Sequence, residues 1–124
     1  THDNETLAGW FGSISKEEMD MAREYLCDRY TPKKYLHRPF ISLVMRSRAK
    51  LCVIPMQDYL GYDNSCRINK PSTVGINWKW RITQEELTKE LQDEIYETAK
   101  RYGRLGWQWR SQAESGEEEK LPQE

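Results

Sequence analysis

The stretch LCVIPMQDYLGYDNSCRINKPSTVGINWKWR, residues 51 to 81, decides how this chain is read. It opens on a β-branched and apolar run, Leu51 to Met56, bounded by Gln57 and Asp58, and that pattern predicts a buried parallel strand. Roughly twenty residues rich in Asn, Gly, Pro, Ser and Trp follow, without helical or alternating period. A loop of that length in a compact domain is usually functional, so the site is expected at the carboxyl end of the strand. The loop closes on Asn77, Trp78 and Trp80. Side-chain amides beside indole rings suit a ligand with both hydroxyls and apolar faces, as a sugar has; the same tryptophans serve equally well as loop or core anchors.

Working outward, the whole chain has 124 residues, enough for one ordinary domain. It is well short of the roughly 250 residues of a complete (β/α)8 barrel. Lys and Arg total 19 against 20 Asp and Glu, so no overall field favours nucleic acid or an anionic membrane, and neither is expected as a partner. Apolar runs are short and Thr1 to Thr6 is polar, which predicts neither a transmembrane helix nor a signal peptide and places the protein in the cytoplasm. Cys27, Cys52 and Cys66 are spaced by 25 and 14, a pattern of neither a metal pair nor a disulfide framework. They read as reduced thiols, with Cys52 a small buried hydrophobe in the strand; no metal and no cofactor is implied.

Upstream, Thr1-His2-Asp3-Asn4 sets an imidazole beside a carboxylate just before Glu5 to Phe11, which has helical character. Asn4 or Asp3 could cap that helix, and the His-Asp pair by itself leaves capping, surface and catalytic roles open. Ser15-Lys16-Glu17-Glu18 is a capping box opening a helix expected to bury one face, with Met19, Met21, Ala22, Tyr25 and Leu26 on spacings of three and four. Asp28 to Leu36 reads as a connection; a helix with Pro39 in its first turn follows, with Phe40, Ile41, Leu43 and Val44 supplying an apolar face and Arg46, Arg48 and Lys50 crowding its end. Downstream, Thr83-Gln84-Glu85-Glu86 is a second capping box, followed by Leu87, Leu91, Ile95, Ala99 and Tyr102, with Gly103 positioned as a C-terminal stop.

Trp107 and Trp109 either pack down the helix end, the preferred reading, or extend a binding surface. From Ser111 onward the chain is acidic and nearly free of large apolar residues, so 111–124 is expected to be a disordered tail; without it 18 basic and 15 acidic residues remain. The order helix, strand, loop, helix is that of the last part of an α/β barrel, and a single strand cannot make a sheet. The fold class is therefore α/β, incomplete on its own.

Three motifs together, THDN at 1–4, VIPMQDYLG at 53–61 and RINKPSTVGINWKWR at 67–81, resemble the C-terminal part of the catalytic barrel of 4-alpha-glucanotransferases, also called amylomaltases or disproportionating enzymes, of glycoside hydrolase family 77. The resemblance covers Thr1 to Arg104 and gives a barrel portion over residues 1–110. Two positions depart from the family pattern, which usually has Gly where Ser72 stands and commonly Gly where Ile76 stands. Both could stiffen or reshape the loop.

The resemblance implies a (β/α)8 TIM barrel of the alpha-amylase clan that moves α-1,4-glucan segments between maltodextrins by a retaining covalent mechanism, with α-1,4-glucans and maltooligosaccharides as partners. It makes Asp3 the carboxylate that stabilises the transition state and His2 its neighbour in hydrogen bonding the sugar. Asn77 and Trp78 become substrate-binding candidates, and Gln57 and Asp58 either bond sugar or, the favoured role, fix the loop from behind. The nucleophile and general acid/base of the family match no position here, so the isolated chain is expected to be inactive. The alternative is a noncatalytic α-glucan-binding protein derived from the same fold. An oxocarbenium-like transition state strengthens hydrogen bonds to the sugar's 2-OH, so a carboxylate acceptor beside an imidazole donor raises the rate by differential binding.

Overall fold

A computed structural model describes residues 1–106; Trp107, Trp109 and the acidic tail expected at 111–124 lie outside the described residues. The order is α1 (Leu7–Ser13), α2 (Lys16–Leu26), α3 (His37–Met45), α4 (Met56–Leu60) and α5 (Lys89–Arg101), with single 3₁₀ turns at Lys33–Tyr35, Asn64–Cys66 and Gln84–Glu86.

Local sequence rules account for α2 directly. Ser15 Oγ accepts the Glu18 N–H at 3.2 Å while the Glu18 carboxylate accepts the Ser15 N–H at 2.8 Å, so two donors without intrahelical partners are satisfied at once. Helix α1 is started by Thr6, whose hydroxyl accepts the Gly9 N–H at 3.1 Å, and not by Asn4 or Asp3. Its first amides are held from far downstream. Asn64 Oδ1 accepts the Thr6 N–H at 3.1 Å and Asp58 Oδ1 accepts the Leu7 N–H at 2.8 Å.

Helix α3 is the hub, touching α2, α4 and α5. On one side Phe11, Leu26 and Leu36 form the buried core, flanked by Leu7, Trp10, Met19, Phe40 and Leu43. The Phe11 and Phe40 rings lie 4.8 Å apart by centroid, and Trp10 meets Phe40 edge-on at 6.0 Å. Burying each such side chain contributes about 1.5–3 kcal/mol, so these few residues dominate the packing energy. Ile41 and Met45 of α3 and Leu91 of α5 are also buried. The basic run after α3 leaves its carbonyls to another residue. Arg104, beyond α5, donates to the carbonyls of Met45 at 2.6 Å, Ala49 at 2.9 Å and Ser47 at 3.1 Å.

The expected strand at Leu51 to Met56 does not form. Residues 51–55 belong to no regular element, Met56 already begins α4, and no strand occurs among the described residues. Leu51 and Val53 are 80% and 77% exposed while Cys52 and Ile54 are half-buried, so the period-two pattern of a strand is present without a ladder partner. A strand is defined by its neighbours, and none is among the described residues; Cys52, expected to be buried, is left half-exposed for the same reason. The α/β class is therefore visible only as this unpaired segment.

The second capping box also does less than its spacing suggested: Thr83 and Glu86 close the 3₁₀ turn Gln84–Glu86. Leu87 then leaves helical geometry, with φ −85° and ψ 65°, and α5 starts afresh behind Thr88, whose hydroxyl accepts the Leu91 N–H at 3.1 Å. Gly103, with φ +68°, follows the end of α5 as expected. All three cysteines are free thiols. Among the described residues no helix is long and apolar enough to cross a membrane.

Candidate functional site

The N-terminal segment and the long loop meet around Asp3. Asn69 Nδ2 donates to Asp3 Oδ1 at 2.7 Å, and His2 Nε2 lies 3.1 Å from the same oxygen. Arg67 reaches the same place through the backbone, donating from Nη2 to the Asp3 carbonyl at 2.6 Å and from Nε to the Asn69 carbonyl at 3.0 Å. The His2 ring rests against Trp78, centroids 5.1 Å apart and planes tilted by 44°. Trp78 is held with φ +63°, a backbone region that bulky residues rarely occupy, and its N–H donates to the Ile68 carbonyl at 2.7 Å. A carboxylate, an imidazole and an indole thus share one exposed surface, with about half of each of the first two side chains open to solvent.

The remaining expected site residues are placed differently. Asn77 is turned into its own loop: its Oδ1 accepts the Lys70 N–H at 2.9 Å, and its Nδ2 donates to the Thr73 carbonyl at 3.0 Å and hydroxyl at 3.1 Å. It shapes the tip, which carries Ser72 at φ +62°, more directly than it faces Asp3. Gln57 and Asp58 are buried on α4, Gln57 donating to the Cys66 carbonyl at 3.1 Å and Asp58 accepting from Leu7. Both line a narrow cavity that also includes His2, Glu5 and Arg67. Burial pushes the Asp58 carboxyl above its ordinary pKa, and the Leu7 N–H pulls it part of the way back.

The far end of the loop is tied down by a second group. Tyr62, just after α4, donates its hydroxyl to Glu86 Oε1 at 2.5 Å, and Glu86 Oε2 accepts the Thr83 N–H at 2.6 Å. The hydrogen bond to Glu86 pushes the Tyr62 phenol up to about 12, while the donors from Tyr62 and Thr83 hold the Glu86 carboxyl below its usual range. Trp80 packs edge-on against Tyr62 at 6.4 Å. The roles of Asn69, Arg67 and this Tyr62–Glu86 pair are not marked in the sequence, because single polar residues in an aperiodic loop carry no local signal of a partner more than twenty positions away. Among the described residues no three His, Cys, Asp or Glu side chains are grouped to hold a metal.

A family model described as 4-alpha-glucanotransferase matches residues 1–88, which takes in both Asp3 and the whole loop that grips it. The chain belongs to the 4-alpha-glucanotransferase family. The 4-alpha-glucanotransferase of Clostridium butyricum is 42% identical over 105 residues, 84% of this chain and 21% of that protein. The chloroplastic/amyloplastic 4-alpha-glucanotransferase of Arabidopsis thaliana is 35% identical over 108 residues, 85% of this chain and 18% of that protein. Among solved structures, the amylomaltase from Streptococcus agalactiae in complex with acarbose superposes with a TM-score of 0.80 at 29% identity, over 86% of this chain and 21% of that one. The chain therefore spans about a fifth of the length of the relatives it matches.

Proposed function

We propose that residues 1–110 are a portion of a (β/α)8 catalytic barrel, and that they supply the part of a 4-alpha-glucanotransferase active site that holds the reacting sugar. The substrates are α-1,4-glucans and maltooligosaccharides such as those released from starch or glycogen, and the setting is the cytoplasm, a compartment that suits three free thiols. The observation that carries the reading is the assembly of Asp3, His2 and Trp78 on one surface by a loop that lies within the family match.

In this reading Asp3 accepts a hydrogen bond from a ring hydroxyl that becomes more acidic as the anomeric carbon gains oxocarbenium character, His2 donates to a neighbouring hydroxyl, and Trp78 offers an apolar face. Gln57 and Asp58 stand behind the site, holding the loop and α1 in register. The nucleophile and general acid/base come from carboxyl groups outside the motifs of this chain, about 5 to 5.5 Å apart in a retaining enzyme.

The test is the complete enzyme carrying this segment, incubated with maltotriose. Glucose and longer maltodextrins should appear, and Asp3→Asn should lower kcat far more than it changes KM, because the lost contact is strongest in the transition state. A raised KM with unchanged kcat would remove Asp3 from the assigned role. His2→Ala should be milder, since one hydrogen-bonding group is lost while the Asp3 carboxylate stays.

A further inference from the structure

We infer that Asn69 is a positioning residue for Asp3, acting with Arg67 to aim one carboxylate oxygen at the sugar. The inference rests on the reading of Asp3 given above. Asp3 lies in a segment without regular secondary structure, ahead of α1, so no helix or strand fixes its backbone. Its side chain is about half exposed and is not confined by packing. What fixes it comes from 64 and 66 residues downstream: Arg67 on the main-chain carbonyl at 2.6 Å and Asn69 on Oδ1 at 2.7 Å.

These two grips are themselves coupled, because the Arg67 guanidinium also holds the Asn69 carbonyl at 3.0 Å. One guanidinium thus sets the distance between the backbones of Asp3 and Asn69, and the Asn69 amide then sets the rotation of the carboxylate. Both side-chain contacts of Asp3, from Asn69 and from His2, fall on Oδ1. Oδ2 is therefore the oxygen presented to a ring hydroxyl. An amide suits this task better than a cation would, since it orients the carboxylate by a directional bond and leaves the negative charge available to the developing positive charge of the sugar.

A double-mutant cycle in the complete enzyme tests the assignment, with maltotriose disproportionation as the readout. Asn69→Ala should lower kcat about 10- to 100-fold, as loss of an orienting partner does, with KM changed much less. In an Asp3→Asn background the same substitution should have less than about a twofold effect, because the group it positions is already gone. The isosteric Asn69→Asp keeps the packing and serves where the alanine variant fails to fold. It sets a second carboxyl against Asp3, so the two share a proton and the acid limb of the kcat/KM profile moves to higher pH.

Equal losses from Asn69→Ala in both backgrounds, or an unmoved pH profile for Asn69→Asp, would overturn the positioning role while leaving Asp3 in place. If Asp3→Asn alone leaves kcat unchanged, the reading of Asp3 fails and the inference falls with it.

Discussion

Asp58 on α4 accepts the backbone N–H of Leu7, the first residue of α1, at 2.8 Å across 51 residues of sequence. The bond joins α4 to the helix that follows Asp3, so a buried carboxylate ties the segment carrying Asp3 to the loop that grips it. Asp58→Ala should leave the Leu7 amide without its acceptor and cost about 1–3 kcal/mol locally. Asp58→Asn keeps an acceptor oxygen in place and should cost much less. Amide exchange across Leu7–Ser13 measures the difference; equal rates in the two variants would show that the carboxylate does not hold α1. The pH sign is also fixed. Since burial raises the folded-state pKa above its ordinary 3.8, the stabilising contribution of this group is full below 3.8 and is lost as pH rises through the raised value.

His37 and Gly61 make a second junction, between α3 and the end of α4. Gly61 has φ +71°, and a Cβ there would come within 2.8 Å of the buried His37 ring. Gly61→Ala therefore combines a left-handed backbone, unfavourable by about 1–2 kcal/mol for an L-residue, with a collision that the ring can relieve only by leaving its place. Burial lowers the His37 pKa below 6.5, with Arg38 acting in the same direction. The sign is opposite to that of Asp58: the contribution is full above 6.5 and is lost as pH falls through the lowered value. Imidazole proton shifts should titrate for His37 below the midpoint seen in denaturant, and Gly61→Ala should bring the two midpoints together. A His37 midpoint unchanged by Gly61→Ala would show that the ring is not held at this junction.

Ser72 stands with φ +62° where the resemblance expects glycine, so a residue with a Cβ occupies a left-handed backbone position. Ser72→Gly should relieve about 1–2 kcal/mol of left-handed strain, less the 0.5–1 kcal/mol that extra chain entropy of glycine takes back. The Trp78 amide, bonded to Ile68 at 2.7 Å, reports the closure of this loop. Its exchange should slow by a few-fold in Ser72→Gly, and faster exchange would mean that the serine conformation is not strained.

How far these features could be read from sequence follows from the range of the interactions that make them. Ser15 and Glu18 satisfy each other within one turn, so α2 is legible from four residues. The apolar spacing around Leu91 likewise marks α5, although its start is set by Thr88 and not by the better-looking box at Thr83, because Leu87 breaks the helix between them. Residues 51–55 have strand composition but no strand, since a ladder is a property of two segments and the sequence of one cannot supply the other. The same limit applies to the site. His2 and Asp3 are conspicuous as neighbours, whereas Asn69 and Arg67 matter through bonds spanning more than sixty residues, and no local pattern announces them.

The unpaired segment 51–55 leads to a prediction for the isolated chain. With no ladder partner among the described residues, the segment and the side chains of Leu51 and Val53, 80% and 77% open, present the edge and apolar surface that other strands cover in a sheet. The helices give little in compensation, because only Phe11, Leu26, Leu36, Ile41, Met45 and Leu91 are buried hydrophobics among the described residues. Helical signal should therefore survive, strongest over Lys89–Arg101, while melting is broad and an apolar dye binds. Replacing both exposed residues, Leu51→Lys with Val53→Lys, should reduce dye binding and concentration-dependent association without changing helix content, since neither side chain is packed. A sharp, cooperative transition from a monomer would show that the small helical core suffices by itself. Unchanged dye binding in the double variant would move the exposed apolar surface elsewhere, with the loop residues Val74 and Ile76, 96% and 66% open, next in line.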